Sequence, residues 1–191
     1  MSYIVFDCET TGLDPKVNNL LTTCFIVLDN NLIELDRLNL SVKHKKYTVN
    51  PKAMEINKID LKLHNESSMS IDKSKLKLIT FLKKWPRCIA CGHNVNFDIQ
   101  FIQTILTKDE YCYYFHYTPI DTIIIAQFLK LCNKIPVNQP CSLVSLSNYF
   151  GQKQEKDLEH SAEYDTEMTV KLLKNFLELI NSNDSKKRKY I

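Results

Sequence analysis

Val5-Phe6-Asp7-Cys8-Glu9-Thr10-Thr11-Gly12-Leu13-Asp14 is the stretch on which the fold turns. An apolar run ends in two carboxylates one residue apart, and a Thr-Thr-Gly turn follows at once. Residues 3–8 read as a strand. Strand side chains alternate between faces, so Asp7 and Glu9 share one face with Val5, while Ile4, Phe6 and Cys8 take the other. Two ionised carboxylates a few ångströms apart repel each other, and burying them costs free energy. Two readings follow. Either the polar face is solvated, or a cation sits between the acids. Hard divalent ions such as Mg²⁺ take oxygen ligands of this kind. The D-x-E pattern alone does not choose between them.

Working outward, residues 23–28 and 33–42 also read as strands, and Asp29-Asn30-Asn31 between them is a turn signal. The first three strands are therefore expected to run antiparallel. Residues 51–58 read as a short helix with Pro at its first turn. Residues 73–84 have helical spacing, with Leu76, Ile79 and Leu82 on one face. Residues 88–91 read as a short buried strand. Residues 97–106 read as a helix carrying Phe97, Phe101 and Ile105, and 118–120 as an edge strand leading into a helix over 121–131. A helix over 142–150 ends at Gly151, and a long last helix covers 162–180 with Ser161 as its N-cap. A meander followed by alternating strands and helices predicts one mixed five-stranded sheet flanked by helices, an α/β fold. The expected organisation is a single domain over 1–181 and a basic, flexible tail over 182–191.

Composition narrows the function classes. The 191 residues are 44% hydrophobic and 25% charged, the profile of an ordinary globule with a sizeable core. No apolar run approaches the roughly 18 residues of a membrane span, and the N-terminus carries no signal-peptide pattern. Seven cysteines, an odd and scattered set, fit buried thiols in a reducing compartment. The expected location is thus intracellular: cytoplasm, or nucleus for a eukaryotic or viral chain. A net charge of +3 does not by itself argue for nucleic acid. The clusters Lys43-His44-Lys45-Lys46, Lys83-Lys84 and Lys186-Lys187-Arg188-Lys189 read equally as phosphate contacts or as solvated surface. Cys88, Cys91 and His93 lack a second ligand pair at zinc spacing, which disfavours a zinc site.

Two further segments place polar residues in apolar settings. Asp98 lies in Phe97-Asp98-Ile99-Gln100-Phe101 after Gly92-His93-Asn94-Val95-Asn96, and His160 and Asp165 stand five apart at the start of the last helix. Taken singly, both acids read as helix N-terminal residues favoured by the dipole. Taken in order, FDCETTGLD, GHNVNFDIQFI and HSAEYDTEM resemble the three motifs of the DEDD superfamily of 3′–5′ exonucleases, in its histidine-bearing, DnaQ-like branch. The resemblance spans residues 3 to about 180. The branch is read from His160, five before Asp165; the tyrosine branch would need Tyr where Ser161 stands.

The resemblance implies a ribonuclease H-like fold and a metal-dependent exonuclease releasing nucleoside 5′-monophosphates from 3′ ends, with a preference for single-stranded or frayed DNA. It implies that Asp7, Glu9, Asp98 and Asp165 hold two Mg²⁺ or Mn²⁺ ions and that His160 is the general base. Thr10, Thr11, Gly12 and Leu13 would meet the terminal nucleotide, with Met54, Asn94 and Phe97 beside it. Phe97 reads equally as a core residue, and His93 as structural or near the substrate. The alternatives are an exoribonuclease acting on RNA or short oligonucleotides, and a proofreading accessory that binds a polymerase.

Overall fold

Hydrophobic alternation carries the first strand two residues further than its apolar run, through both acids. The computed structural model describes residues 2–152 and 161–182. The chain begins β1 (Tyr3–Thr10), β2 (Leu20–Leu28), β3 (Glu34–Lys43), then α1 (Pro51–Asn57), α2 (Leu61–Ser67), β4 (Met69–Ser70) and α3 (Ile71–Leu82). It continues β5 (Ile89–Gly92), α4 (Val95–Ile102), α5 (Lys108–Tyr114), β6 (Ile120–Asp121), α6 (Thr122–Leu131), α7 (Leu143–Tyr149) and α8 (Ala162–Asn181). The sheet order is β4-β3-β2-β1-β5-β6. β1, β2 and β3 are antiparallel, while β5 runs parallel to β1 and β6 parallel to β5.

The mixed α/β sheet is the expected one, but it has six strands among the described residues and not five. The addition is β4, two residues that pair with Val42 and Lys43 at the edge. So short a strand has no periodicity to read; it exists because β3 lies beside it. The helices α2 and α5 were also missed. α5 had a readable signal: Thr107 accepts from the Glu110 amide while the Glu110 side chain accepts from the Thr107 amide, a full capping box. In α3 the expected stripe holds at Leu82 and at the partly buried Ile79, and fails at Leu76. Leu78, Phe81 and Leu82 face the core with Ser74, and Leu76 is 67% exposed. The sequence of α3 carries two overlapping apolar stripes, and only packing selects one.

The two faces of the sheet are covered differently. Ile4, Phe6 and Cys8 of β1 pack with Phe25, Leu78, Phe81, Phe101 and Phe115, beneath α3, α4 and α5. Val5 packs with Cys24, Ile26, Leu28 and Cys91 against Ala162, Val170 and Leu173 of α8. Outside α8, α6 and α7 close a further cluster around Leu146, Leu172 and Phe176. Four of the seven thiols are buried, but Cys112 and Cys132 are exposed and Cys141 is half-buried, so the expectation of uniformly buried cysteines fails for these. No helix among the described residues is long and apolar enough to cross a membrane. The basic tail over 183–191 lies outside the described residues, and Ser182 serves as the C-cap of α8.

Candidate active site

β1 outruns its neighbour. Its parallel pairing with β5 ends at Val5 opposite Cys91. A Cβ on Gly92 would lie 3.0 Å from the Val95 side chain and 3.1 Å from the Phe6 carbonyl oxygen. Glycine therefore lets the chain turn into α4 tight against β1. Beyond that point Asp7 and Glu9 have a partner strand on one side only, β2, opposite Cys24 and Thr22. The start of α4 is fixed from a distance. Asn94 has φ 62°, and the Asp121 carboxylate accepts from the amides of Asn94 at 3.1 Å and Val95 at 3.0 Å. The same carboxylate accepts from the Ile123 amide at 2.9 Å, so Asp121 caps two helices at once.

Three carboxylates meet on the α8 side of the sheet. Asp7, Glu9 and Asp165 each offer an oxygen, all within 4.8 Å of one another. Ser161 caps α8 by accepting from the Tyr164 amide at 3.3 Å, which leaves Asp165 in the first turn. Asp98 comes from the opposite face, because α4 packs on Phe6 and Cys8. It is 2% exposed and stands outside the 4.8 Å triangle, where its carboxylate accepts from the Cys8 amide and feels the charge of Asp7.

The electrostatics follow from this crowding. Burial, and then the Asp165 charge, push the Asp7 carboxyl up to about 8. Burial, then Asp7 and Asp165, push Glu9 up to about 9. Asp98 is raised as well, by burial first and Asp7 second. An oxygen-only donor set that resists its own ionisation fits a hard divalent cation, which would supply the missing positive charge.

Asp7 and Glu9 both have folded pKa values above their unfolded ones near 4, so their contribution is fully present below pH 4. It is lost as pH rises through 8 to 9. Metal-free protein should therefore melt at progressively lower temperature between pH 4 and 9, with a loss on the order of 1–3 kcal/mol after allowance for solvent screening of half-buried groups. Calorimetry in chelator checks it. A melting temperature that is flat or rises over that range would show that the carboxylates do not repel one another as described.

Next to Glu9 opens a cleft of about 260 Å³, lined by Cys8, Thr10, Leu13, Asn50, Lys52, Ala53, Ile56, Asn57 and Phe97. Leu13 is 76% exposed at its rim. Phe97 lines the cleft, and its ring stands 5.0 Å from that of Phe101. The Thr-Thr-Gly turn is largely occupied by the protein itself. The Thr10 hydroxyl donates to the Gly12 carbonyl at 2.7 Å, and the Thr10 carbonyl accepts from the Asn57 amide group at 3.0 Å. The Thr11 hydroxyl donates to the Thr48 carbonyl at 2.7 Å and accepts from the Asn19 amide at 2.8 Å. A Cβ on Gly12 would come within 2.6 Å of three Asn18 side-chain atoms, so glycine is needed there for contact with Asn18.

Other expected residues stand elsewhere. Met54 is not among the residues that line the cleft, to which its helix contributes Ala53, Ile56 and Asn57. Asn94 lines a separate pocket with Pro119 and Asp121. His93 bonds through Nδ1 to the Thr122 hydroxyl at 2.8 Å and is part of the framework. His160 lies outside the described residues. Sequence reasoning missed Lys52, Asn57 and Asp121. The N-cap pattern of Asp121 before Thr122 was a usable signal; the others carried none.

A sheet in this order is a ribonuclease H-like fold, and three acids converge at the end of its central strand. The chain belongs to the RNase_T exonuclease family, whose model matches residues 4–173. It is 30% identical over 176 residues to the PolC-type DNA polymerase III of Mycoplasma genitalium, covering 90% of this chain and 11% of the polymerase. It is 27% identical over 149 residues to the oligoribonuclease of Buchnera aphidicola subsp. Baizongia pistaciae, covering 69% of this chain and 90% of the relative. The crystal structure of E. coli Exonuclease I with a dT13 oligonucleotide matches 91% of this chain and 40% of that one, with TM-score 0.78 and 17% identity. The chain thus spans about a tenth of the polymerase and less than half of Exonuclease I.

Proposed function

We propose that the protein is a 3′–5′ exonuclease that removes nucleoside 5′-monophosphates one at a time, with Asp7, Glu9, Asp98 and Asp165 as its metal ligands. The convergence of Asp7, Glu9 and Asp165 within 4.8 Å carries this reading. Two Mg²⁺ or Mn²⁺ ions would neutralise charge at the scissile phosphate and ease deprotonation of the attacking water. His160 takes that water's proton as general base. Leu13, Ile56 and Phe97, which line the cleft, would form the apolar wall for the terminal base, and Lys52 on the same lining would offer a positive charge to a backbone phosphate. Asp121 acts at one remove, fixing the start of the helix that carries Asp98.

Single-stranded or frayed DNA is the expected substrate, because opening a paired end costs a few kcal/mol before the base can enter the cleft. A second reading, an exoribonuclease for short RNA, is favoured by the extent of the oligoribonuclease match, which covers 90% of that relative. The polymerase match makes a replication partner a third possibility to test by co-purification with a polymerase.

Digestion of 5′-labelled DNA and RNA, single- and double-stranded, with Mg²⁺, Mn²⁺ or chelator separates these readings. The expected result is a ladder shortening from the 3′ side, with mismatched termini consumed faster than matched ones and a 3′-phosphate slowing the reaction. Efficient cleavage of circular single strands would contradict the scheme, since nothing there supplies a 3′ end. Activity that survives chelation would remove the metal from it.

A further inference from the structure

We propose that Arg37 is a positioning residue, clamping the first turns of α8 to β3 and thereby holding Asp165 against Asp7 despite their like charges. What Asp165 does there rests on the exonuclease reading above; the clamp itself rests on geometry. Asn39, Cys24 and Asp7 lie on one rung across β3, β2 and β1. Two strand spacings are about 10 Å, close to the width of a helix with its side chains. α8 is seated on the middle strand, where the buried Thr166 hydroxyl stands 3.4 Å from the Cys24 carbonyl. One flank of the helix therefore overhangs β3 and the other overhangs β1.

On the β3 flank, Arg37 Nη1 donates to Glu163 at 2.8 Å and to Glu167 at 2.6 Å. Its Nε and Nη2 grip both oxygens of Glu34 at 2.8 and 2.9 Å, which fixes the plane of the guanidinium. Asn39 adds a hydrogen bond to Glu163. Glu163 and Glu167 are one helical turn apart and bracket Asp165. On the β1 flank stand Asp7, Glu9 and Asp165, whose carboxylates repel one another where they are ionised without a cation between them. Isolated exposed ion pairs contribute little to stability. This one joins strand to helix across 126 and 130 residues, so it fixes position more than it adds stability.

The test compares Arg37→Met, Arg37→Lys and the milder Glu167→Gln with Lys75→Met, which removes an equally exposed ion pair to Glu110 remote from these acids. Three quantities are read: Mn²⁺ affinity by calorimetry, amide exchange over residues 165–170, and kcat against KM. Arg37→Met should weaken Mn²⁺ binding about 10–100-fold, as loss of groups that orient metal ligands does. It should speed exchange over 165–170 and lower kcat while KM stays within about twofold. Arg37→Lys restores the charge without the planar fork and should recover only part of the loss. Glu167→Gln should shift all three in the same direction and serves if Arg37→Met does not fold. Unchanged exchange over 165–170 in the Arg37 and Glu167 variants would overturn the clamp, as would an equal loss in Lys75→Met. If the wild type itself binds no Mn²⁺, the exonuclease reading falls and the exchange data alone decide the clamp.

Discussion

Asp7→Asn and Asp165→Asn should each abolish turnover, by about 10³-fold or more, while the metal-free protein becomes no less stable. Each substitution removes one oxygen charge from a set that a divalent cation needs, and about 4 kcal/mol of lost transition-state stabilisation corresponds to that factor. It also removes a charge that burial and neighbouring carboxylates disfavour, as the pKa of about 8 at Asp7 records. At neutral pH the unfolded Asp7 is ionised while the folded one resists ionisation, so the wild type is penalised there and the Asn variant is not. Melts in chelator and activity assays on the same preparations read both halves. Metal added to the wild type should release protons and raise its melting temperature, and should do neither in the Asn variants. Near-normal activity in both variants would sink the metal-ligand reading.

His160→Ala should lower kcat about 10²–10⁴-fold, the usual contribution of a positioned general base. Mn²⁺ affinity and KM should stay near wild type, because an imidazole that takes a proton from water need not be a metal ligand. In the wild type, activity should fall on the acidic side as His160 becomes protonated. In the variant the residual rate should follow hydroxide concentration with no histidine limb. A variant with wild-type kcat would leave His93 as the other histidine of the motifs, although His93 is engaged with Thr122. The double variant of His93 and His160 would then separate that role from none.

The local pattern settled much of this protein before any contact was known. Alternation in Tyr3–Thr10 placed Asp7 and Glu9 on one face, and helix-cap chemistry at Ser161 placed Asp165 in the first turn of α8. Both rest on periods and turns that span a few residues, which is the range over which a sequence dictates geometry directly. The order of three motifs indicated the family for the same reason, since each motif is short and self-contained.

Tertiary structure alone decided the rest. Asp98 was legible as a candidate site acid, but not that it arrives from the opposite face of the sheet and stays outside the Asp7–Glu9–Asp165 triangle. Its placement depends on the close approach at Gly92 and on the Asp121 cap, contacts that no helical or strand period encodes. That Ile56 and not Met54 lines the cleft depends on how α1 docks beside β1, where the Asn57 side chain donates to the Thr10 carbonyl. Arg37 reads in sequence as one more surface charge on β3. Its partners Glu163 and Glu167 lie 126 and 130 residues away, and they meet it only because α8 is about as wide as the two strand spacings it must cross.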